Sequence, residues 1–175
     1  MNQVVSAEQV DRLRPIKLLL LDVDGVLTDC RVFLDANGDW KRFFSIRDGY
    51  GIKKIMDAGY KVGIITGSKA RDIQERAKAL GVHYFVEGTL DKQPAFERIL
   101  IESGFKASEV AYMGDDDFDV PVLRLCGFAS TVPEAMEQVF ENVHYVAVRP
   151  GGNGAVREVC ELIFKYGALS TRGSA

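Results

Sequence analysis

The sequence predicts an α/β fold, a doubly wound parallel sheet with helices on both faces and a protruding β-hairpin. Four consecutive leucines, Leu18 to Leu21, are too short a run for a surface helix and suit a strand buried on both faces. Short apolar runs then alternate with helical stretches along the chain, the order that builds a parallel sheet with right-handed crossovers. Three of those runs end in polar clusters: Asp22 with Asp24, Thr66 with Ser68, and Asp115 with Asp116. An open parallel sheet gathers such ends at its carboxyl edge, where ligands bind.

Residues 1–14 mix charged and polar positions and predict a short helix or frayed arm, with Ser6 as cap ahead of Glu8 and Val10. Pro15 separates it from the leucine strand, after which Gly25 lets the chain turn away. Asn37-Gly38 between apolar-rich runs signals a hairpin over about residues 30–45. A helix follows, with Ile52, Ile55 and Met56 as its apolar stripe and Gly59 as its stop. Residues 60–66 read as a strand, and a helix directly after Gly67 runs through Leu80-Gly81. Then come a strand at 84–86, a helix at 92–103, a strand at 110–113, a short strand at 128–130 with a helix before it, a helix at 134–140, a strand at 145–148 and a helix at 155–166. Residues 168–175 read as a flexible tail by composition. The 175 residues are those of one domain.

Composition narrows the function classes. Hydrophobic residues at 47% and charged residues at 27% are those of a globular protein. A net charge of -3 offers no basic footprint for nucleic acid. No apolar run approaches the roughly 20 residues needed to span a bilayer, and the first residues have no apolar core of a leader or anchor. Cys30, Cys126 and Cys160 lack metal spacing and read as reduced thiols of a cytoplasmic protein.

The chemistry starts at Asp22-Val23-Asp24-Gly25. Side chains at i and i+2 of an extended chain share a face, so both acids can address one small volume. A calcium loop is excluded, since it needs Gly at the sixth position and Glu at the twelfth, where this chain has Leu27 and Phe33. A solvated turn is the plainer alternative for this stretch alone. With Asp115 and Asp116 at the same edge, at least four carboxylates meet in one crevice, and such oxygen-rich ligation suits Mg2+ with a phosphate. Thr66 or Ser68 before a helix start suits an anion, or simply caps the helix. Lys92 supplies the opposing fixed charge.

These pieces together resemble the haloacid dehalogenase superfamily of aspartyl phosphotransferases, a Rossmann-like fold. Asp22-Val23-Asp24-Gly25-Val26 resembles its first motif, Thr66 its second, Lys92 its third, and Gly114-Asp115-Asp116 with Asp119 its fourth. The resemblance implies Asp22 as nucleophile, Asp24 as general acid and base, and Thr66 and Lys92 on the phosphoryl oxygens. It implies Mg2+ held by Asp22, the Asp24 carbonyl and Asp115, with Asp116 and Asp119 in support.

The short spacing between motifs leaves no room for a cap domain. With Arg47-Asp48-Gly49-Tyr50-Gly51 and the Gly151 to Glu158 segment, the layout is similar to the 3-deoxy-D-manno-octulosonate 8-phosphate phosphatase family, which releases phosphate from an eight-carbon sugar acid of lipopolysaccharide. That resemblance implies a homotetramer joined through the hairpins. It also implies a substrate pocket lined by Ser45, Ile46, Arg47, Asp48, Gly49, Lys53, Ser68 and Arg76 beside Asp24 and Lys92. The glycines at 151–154 let backbone approach a ligand closely, the helix start at Ala155 favours an anion and Arg157 adds a fixed positive charge, so Gly152 and Arg157 are expected as lid or neighbour contacts. Ser68 departs from the basic residue that many members carry after Thr-Gly. Two alternatives stand beside this reading: a phosphatase for a nine-carbon sugar acid, and a binding or assembly module that has lost turnover. His83 and His144 match no motif and read as packed or surface residues.

Overall fold

The computed structural model describes residues 4–170. The elements run α1 (Ala7–Leu13), β1 (Leu18–Leu21), β2 (Phe33–Leu34), β3 (Trp40–Lys41), α2 (Ile46–Asp57), β4 (Lys61–Ile65), α3 (Arg71–Leu80), β5 (Tyr84–Val86), α4 (Lys92–Ser103), β6 (Val110–Met113), α5 (Val120–Leu125), β7 (Phe128–Thr131), α6 (Glu137–Phe140), β8 (Tyr145–Val146) and α7 (Ala155–Tyr166). Six strands form one sheet in the order β5-β4-β1-β6-β7-β8, with every pairing parallel. β2 and β3 pair antiparallel as a separate hairpin.

The leucine run explains the layering. Strand side chains alternate between faces, so Leu19 and Leu21 join the core beneath α1, α2, α3 and α7, while Leu18 and Leu20 join the core beneath α4 and α5. All four are buried, as expected of the centre of a doubly covered sheet. β1 lies between β4 and β6, so the chain after Leu21 emerges at the middle of the carboxyl edge.

Several boundaries differ from the sequence expectations. α3 begins at Arg71, not directly after Gly67, because hydroxyls bend residues 67–70 into a loop. α6 covers only Glu137–Phe140, since Ala135 and Met136 direct their amides to Val132 and to the Asp115 carbonyl in a turn. β8 stops at Val146, and the amides of Val148 and Arg149 donate to Glu158 on α7 instead of to a strand. Of the expected tail, residues 168–170 are tied down: the Ala168 amide donates to the Ile16 carbonyl and the Leu169 amide to the Tyr60 hydroxyl. Residues 171–175 lie outside the described residues.

α2 and α7 pack closely where Gly51 faces Arg157 and Cys160, at a distance that leaves no room for a β-carbon. Asp48, fully buried on the first turn of α2, reaches across this contact. Its carboxylate accepts from the amides of Gly154 at 3.1 Å and Arg157 at 2.7 Å, capping α7 from a neighbouring helix. Asp48 thus satisfies two of the backbone amides at the start of α7. Asp48→Ala leaves these amides without an acceptor and is expected to lower the unfolding free energy by about 1–3 kcal/mol. Wild-type urea unfolding of this variant would show that the cap contributes nothing.

Candidate active site

The turn after β1 brings the first acid into place. The Asp22 amide donates to the Met113 carbonyl, continuing the parallel pairing one residue past the strand and burying the Asp22 side chain at the sheet edge. The amides of Val26, Leu27 and Thr28 then converge on the Val23 carbonyl and reverse the chain. Gly25 has φ 91°, and a β-carbon there would lie 1.9 Å from an Asp115 carboxylate oxygen, so only glycine fits. Gly151 presses on the same turn, its missing β-carbon 1.8 Å from the Gly25 carbonyl. The glycine segment thus packs backbone to backbone on the loop that carries the acids.

Lys92, the first residue of α4, is completely buried. Its ammonium lies 2.7 Å from Asp22 Oδ1 and 2.6 Å from Asp119 Oδ1. The Tyr112 hydroxyl donates to the same Asp119 oxygen at 2.5 Å, and the amides of Asp115 and Asp116 donate to Asp119 Oδ2. Asp119 is therefore saturated, a strut between Lys92, β6 and the loop that follows it. Asp116 accepts from the Asp117 amide and caps the short turn there.

One oxygen each of Asp22, Asp115 and Asp119 come within 4.8 Å of one another. Asp22 Oδ2 and Asp115 Oδ1 are buried and have no hydrogen-bond partner among the described residues. Three carboxylates thus face one ammonium, with two unsatisfied oxygens among hard donors, a set that fits a divalent cation such as Mg2+. The cost of this crowding is visible in the acids. Burial pushes Asp22 up to about 7, with Lys92 pulling it back down and Asp119 adding to the rise. Burial, then the charges of Asp22, Asp119 and Asp116, push Asp115 up to about 8.

Thr66 is buried at the end of β4, where its hydroxyl accepts from the Ser68 amide, while Ser68 in turn accepts from the Ala70 amide. Neither hydroxyl caps α3. The Asp24 side chain is 35% exposed and is gripped by Arg42, from the chain leaving the hairpin, at 2.6 and 3.1 Å. Sequence reading did not single out Arg42, since a basic residue in Trp40-Lys41-Arg42-Phe43 carries no signature of its own.

A crevice of about 440 Å³ opens beside these acids, lined by Gly25, Asp29, Cys30, Phe43, Asp115, Glu134 and the 150–153 segment among others. Gly152 lines this crevice, whereas Ser45, Ile46, Asp48, Gly49, Lys53 and Arg76 do not. Ser45 caps α2, Ile46 and Lys53 are exposed, and Arg76 donates to the Ser45 carbonyl, stacks on Phe44 and closes over Gly49. Arg47 and Arg157 border a second depression with Arg149 and Asn153. Arg157 pairs with Glu161 on its own helix and lies over Tyr50. His83 and His144 accept backbone amides through Nδ1, as packed residues do.

No family model matches the chain. A curated relative, 3-deoxy-D-manno-octulosonate 8-phosphate phosphatase KdsC of Escherichia coli, is 39% identical over 159 residues, covering 91% of this chain and 85% of the relative. The crystal structure of the phosphatase of the same name from Yersinia pestis superposes with a TM-score of 0.91 at 36% identity, covering 97% of this chain and 91% of that one. The Moraxella catarrhalis phosphatase, solved with magnesium, phosphate and KDO, gives 0.88 at 37% identity, covering 91% and 92%.

The raised acids predict how metal-free protein responds to pH. Their folded pKa values exceed unfolded ones, so the stability they contribute is fully present below about pH 4 and is lost as pH rises through about 7 to 8. A cation that replaces their protons binds better as pH rises. The Mg2+-induced increase in Tm is therefore expected to be larger at about pH 8.5 than at about pH 6. Equal increases at both would contradict the assignment of these carboxylates to a cation.

Proposed function

The chain belongs to the 3-deoxy-D-manno-octulosonate 8-phosphate phosphatase family of the haloacid dehalogenase superfamily, and on that basis we propose that it hydrolyses this sugar-acid phosphate through an aspartyl-phosphate at Asp22. The observation that carries the site assignment is the buried Lys92 holding Asp22 by one oxygen while the other has no partner among the described residues.

Asp22 attacks phosphorus, the bond to the sugar C8 oxygen breaks, and that oxygen leaves with a proton from Asp24. Asp24 then takes a proton from water, which attacks the aspartyl-phosphate and releases phosphate and free Asp22. Lys92 and Thr66 neutralise and position the phosphoryl oxygens, the main demand of a loose phosphoryl-transfer transition state. Mg2+ is the cofactor; Asp22, Asp115 and the Asp24 carbonyl would hold it, and it would supply further charge neutralisation.

The whole chain acts as one phosphatase domain that assembles as a homotetramer in the cytoplasm. Support for assembly comes from the hairpin, where Val32, Phe33, Leu34, Trp40 and Phe43 are all exposed and only Phe44 packs on the core. Phe33 and Phe43 stack 4.9 Å apart in the open. A cluster of large apolar side chains of this kind marks an interface, and a closed ring of copies buries it. The three unpaired cysteines, two of them buried, fit a reducing compartment.

Asp22→Asn is expected to abolish phosphate release with the fold intact, and Asp24→Asn to reduce it by about 100- to 10,000-fold. Substantial turnover by the Asp22 variant would contradict the covalent route. Light scattering is expected to report four chains per particle, and a monomer at working concentration would overturn the assembly.

A further inference from the structure

Arg42 is the most heavily engaged side chain near the crevice that the reaction above leaves without a role. It stands one residue past β3, and its side chain is 9% exposed. Nε donates to Asp24 Oδ1 at 2.6 Å and Nη2 to Asp24 Oδ2 at 3.1 Å, a two-pronged grip on one carboxylate. On the other side Nη1 lies 3.3 Å from Asp72 Oδ1 on α3, and the Arg42 amide donates to Asp72 Oδ2 at 2.9 Å. Nη2 also reaches Ser68 Oγ at 3.4 Å. Apart from Arg42, the Asp24 carboxylate meets only the Thr28 hydroxyl among the described residues, at 3.5 Å.

The distances separate two roles. A residue serving only to fasten the hairpin to α3 would be complete with Asp72, which already engages both the Arg42 amide and Nη1. The shortest contact and the two-pronged geometry go to Asp24. A proton-transfer group must be held within hydrogen-bond reach of the leaving oxygen, and a partly exposed carboxylate with one long contact is not held. We propose that Arg42 is a positioning residue that orients Asp24 for proton transfer and makes that orientation depend on how the hairpin is seated against α3. This rests on the reading of Asp24 as the general acid.

Breaking the phosphorus–oxygen bond of an alkyl ester leaves a strongly basic alkoxide that needs the proton, whereas 4-nitrophenolate leaves without one. Single-turnover rates of alcohol release are therefore compared for the sugar-acid phosphate, glycerol phosphate and 4-nitrophenyl phosphate, all with Mg2+. Arg42→Ala is expected to slow release from both alkyl esters by at least about tenfold more than release of 4-nitrophenol, within the range that general acid catalysis supplies. Arg42→Lys, which keeps the charge without the planar fork, is expected to recover part of the loss. Arg42→Gln serves the same comparison should the alanine variant not fold. Equal losses on all three esters, or no loss, would reduce Arg42 to a structural clamp and overturn the proposal. Asp24→Asn run in parallel separates the two ideas. If it slows all esters alike, the reading of Asp24 as general acid fails. If it discriminates among them and Arg42→Ala does not, the positioning role alone fails.

Discussion

A single buried ammonium organises the catalytic edge. Lys92 is sealed from solvent between Asp22 and Asp119, and a charge in that position is tolerated only because both carboxylates reach it within hydrogen-bond distance. The contact joins the end of β1, the start of α4 and the segment after β6. Removing the lysine would leave two buried carboxylates without their cation, a loss of about 3–5 kcal/mol, so fold and site are coupled at this point. Tyr112 and two backbone amides saturate Asp119, which fixes the carboxylate that holds Lys92 against Asp22.

Around that strut the site is built by close backbone approach. Gly25 leaves space that Asp115 occupies, and Gly151 and Gly152 press on the turn of residues 25–29 from the other side. Nearby side chains of α2, α3 and α7 make contacts within the chain: Asp48 with the start of α7, Arg157 with Glu161, and Arg76 with the Ser45 carbonyl. Within one chain the crevice is lined by the first turn, the hairpin base, Glu134 and the 150–153 segment. The apolar side chains of the hairpin, Val32, Phe33, Leu34, Trp40 and Phe43, stay exposed beside it.

Much of this was legible in the sequence, for reasons that particular residues make clear. The leucine run and the alternation of elements specify the parallel sheet because burial on both faces leaves no other use for such strands. α4 and α7 fall on the expected residues, each followed by glycine. The carboxylates that crowd the site were visible as strand-end residues. What could not be read were contacts between distant residues with no periodic signature: Arg42 with Asp24, Tyr112 with Asp119, and Asp48 with the α7 amides. The glycine segment illustrates the limit. Its composition shows that backbone approaches something closely, but only the fold shows that the partner is the chain's own first turn.

The central claim is that Asp22, held by Lys92, takes the phosphoryl group covalently. It is tested most directly by quenching a single turnover in acid and locating phosphate along the chain by peptide mass spectrometry. Phosphate on Asp22 that forms and decays at rates compatible with turnover is the predicted result. Catalytically competent turnover with no phosphorylated intermediate, or with phosphate on another residue, would contradict the account.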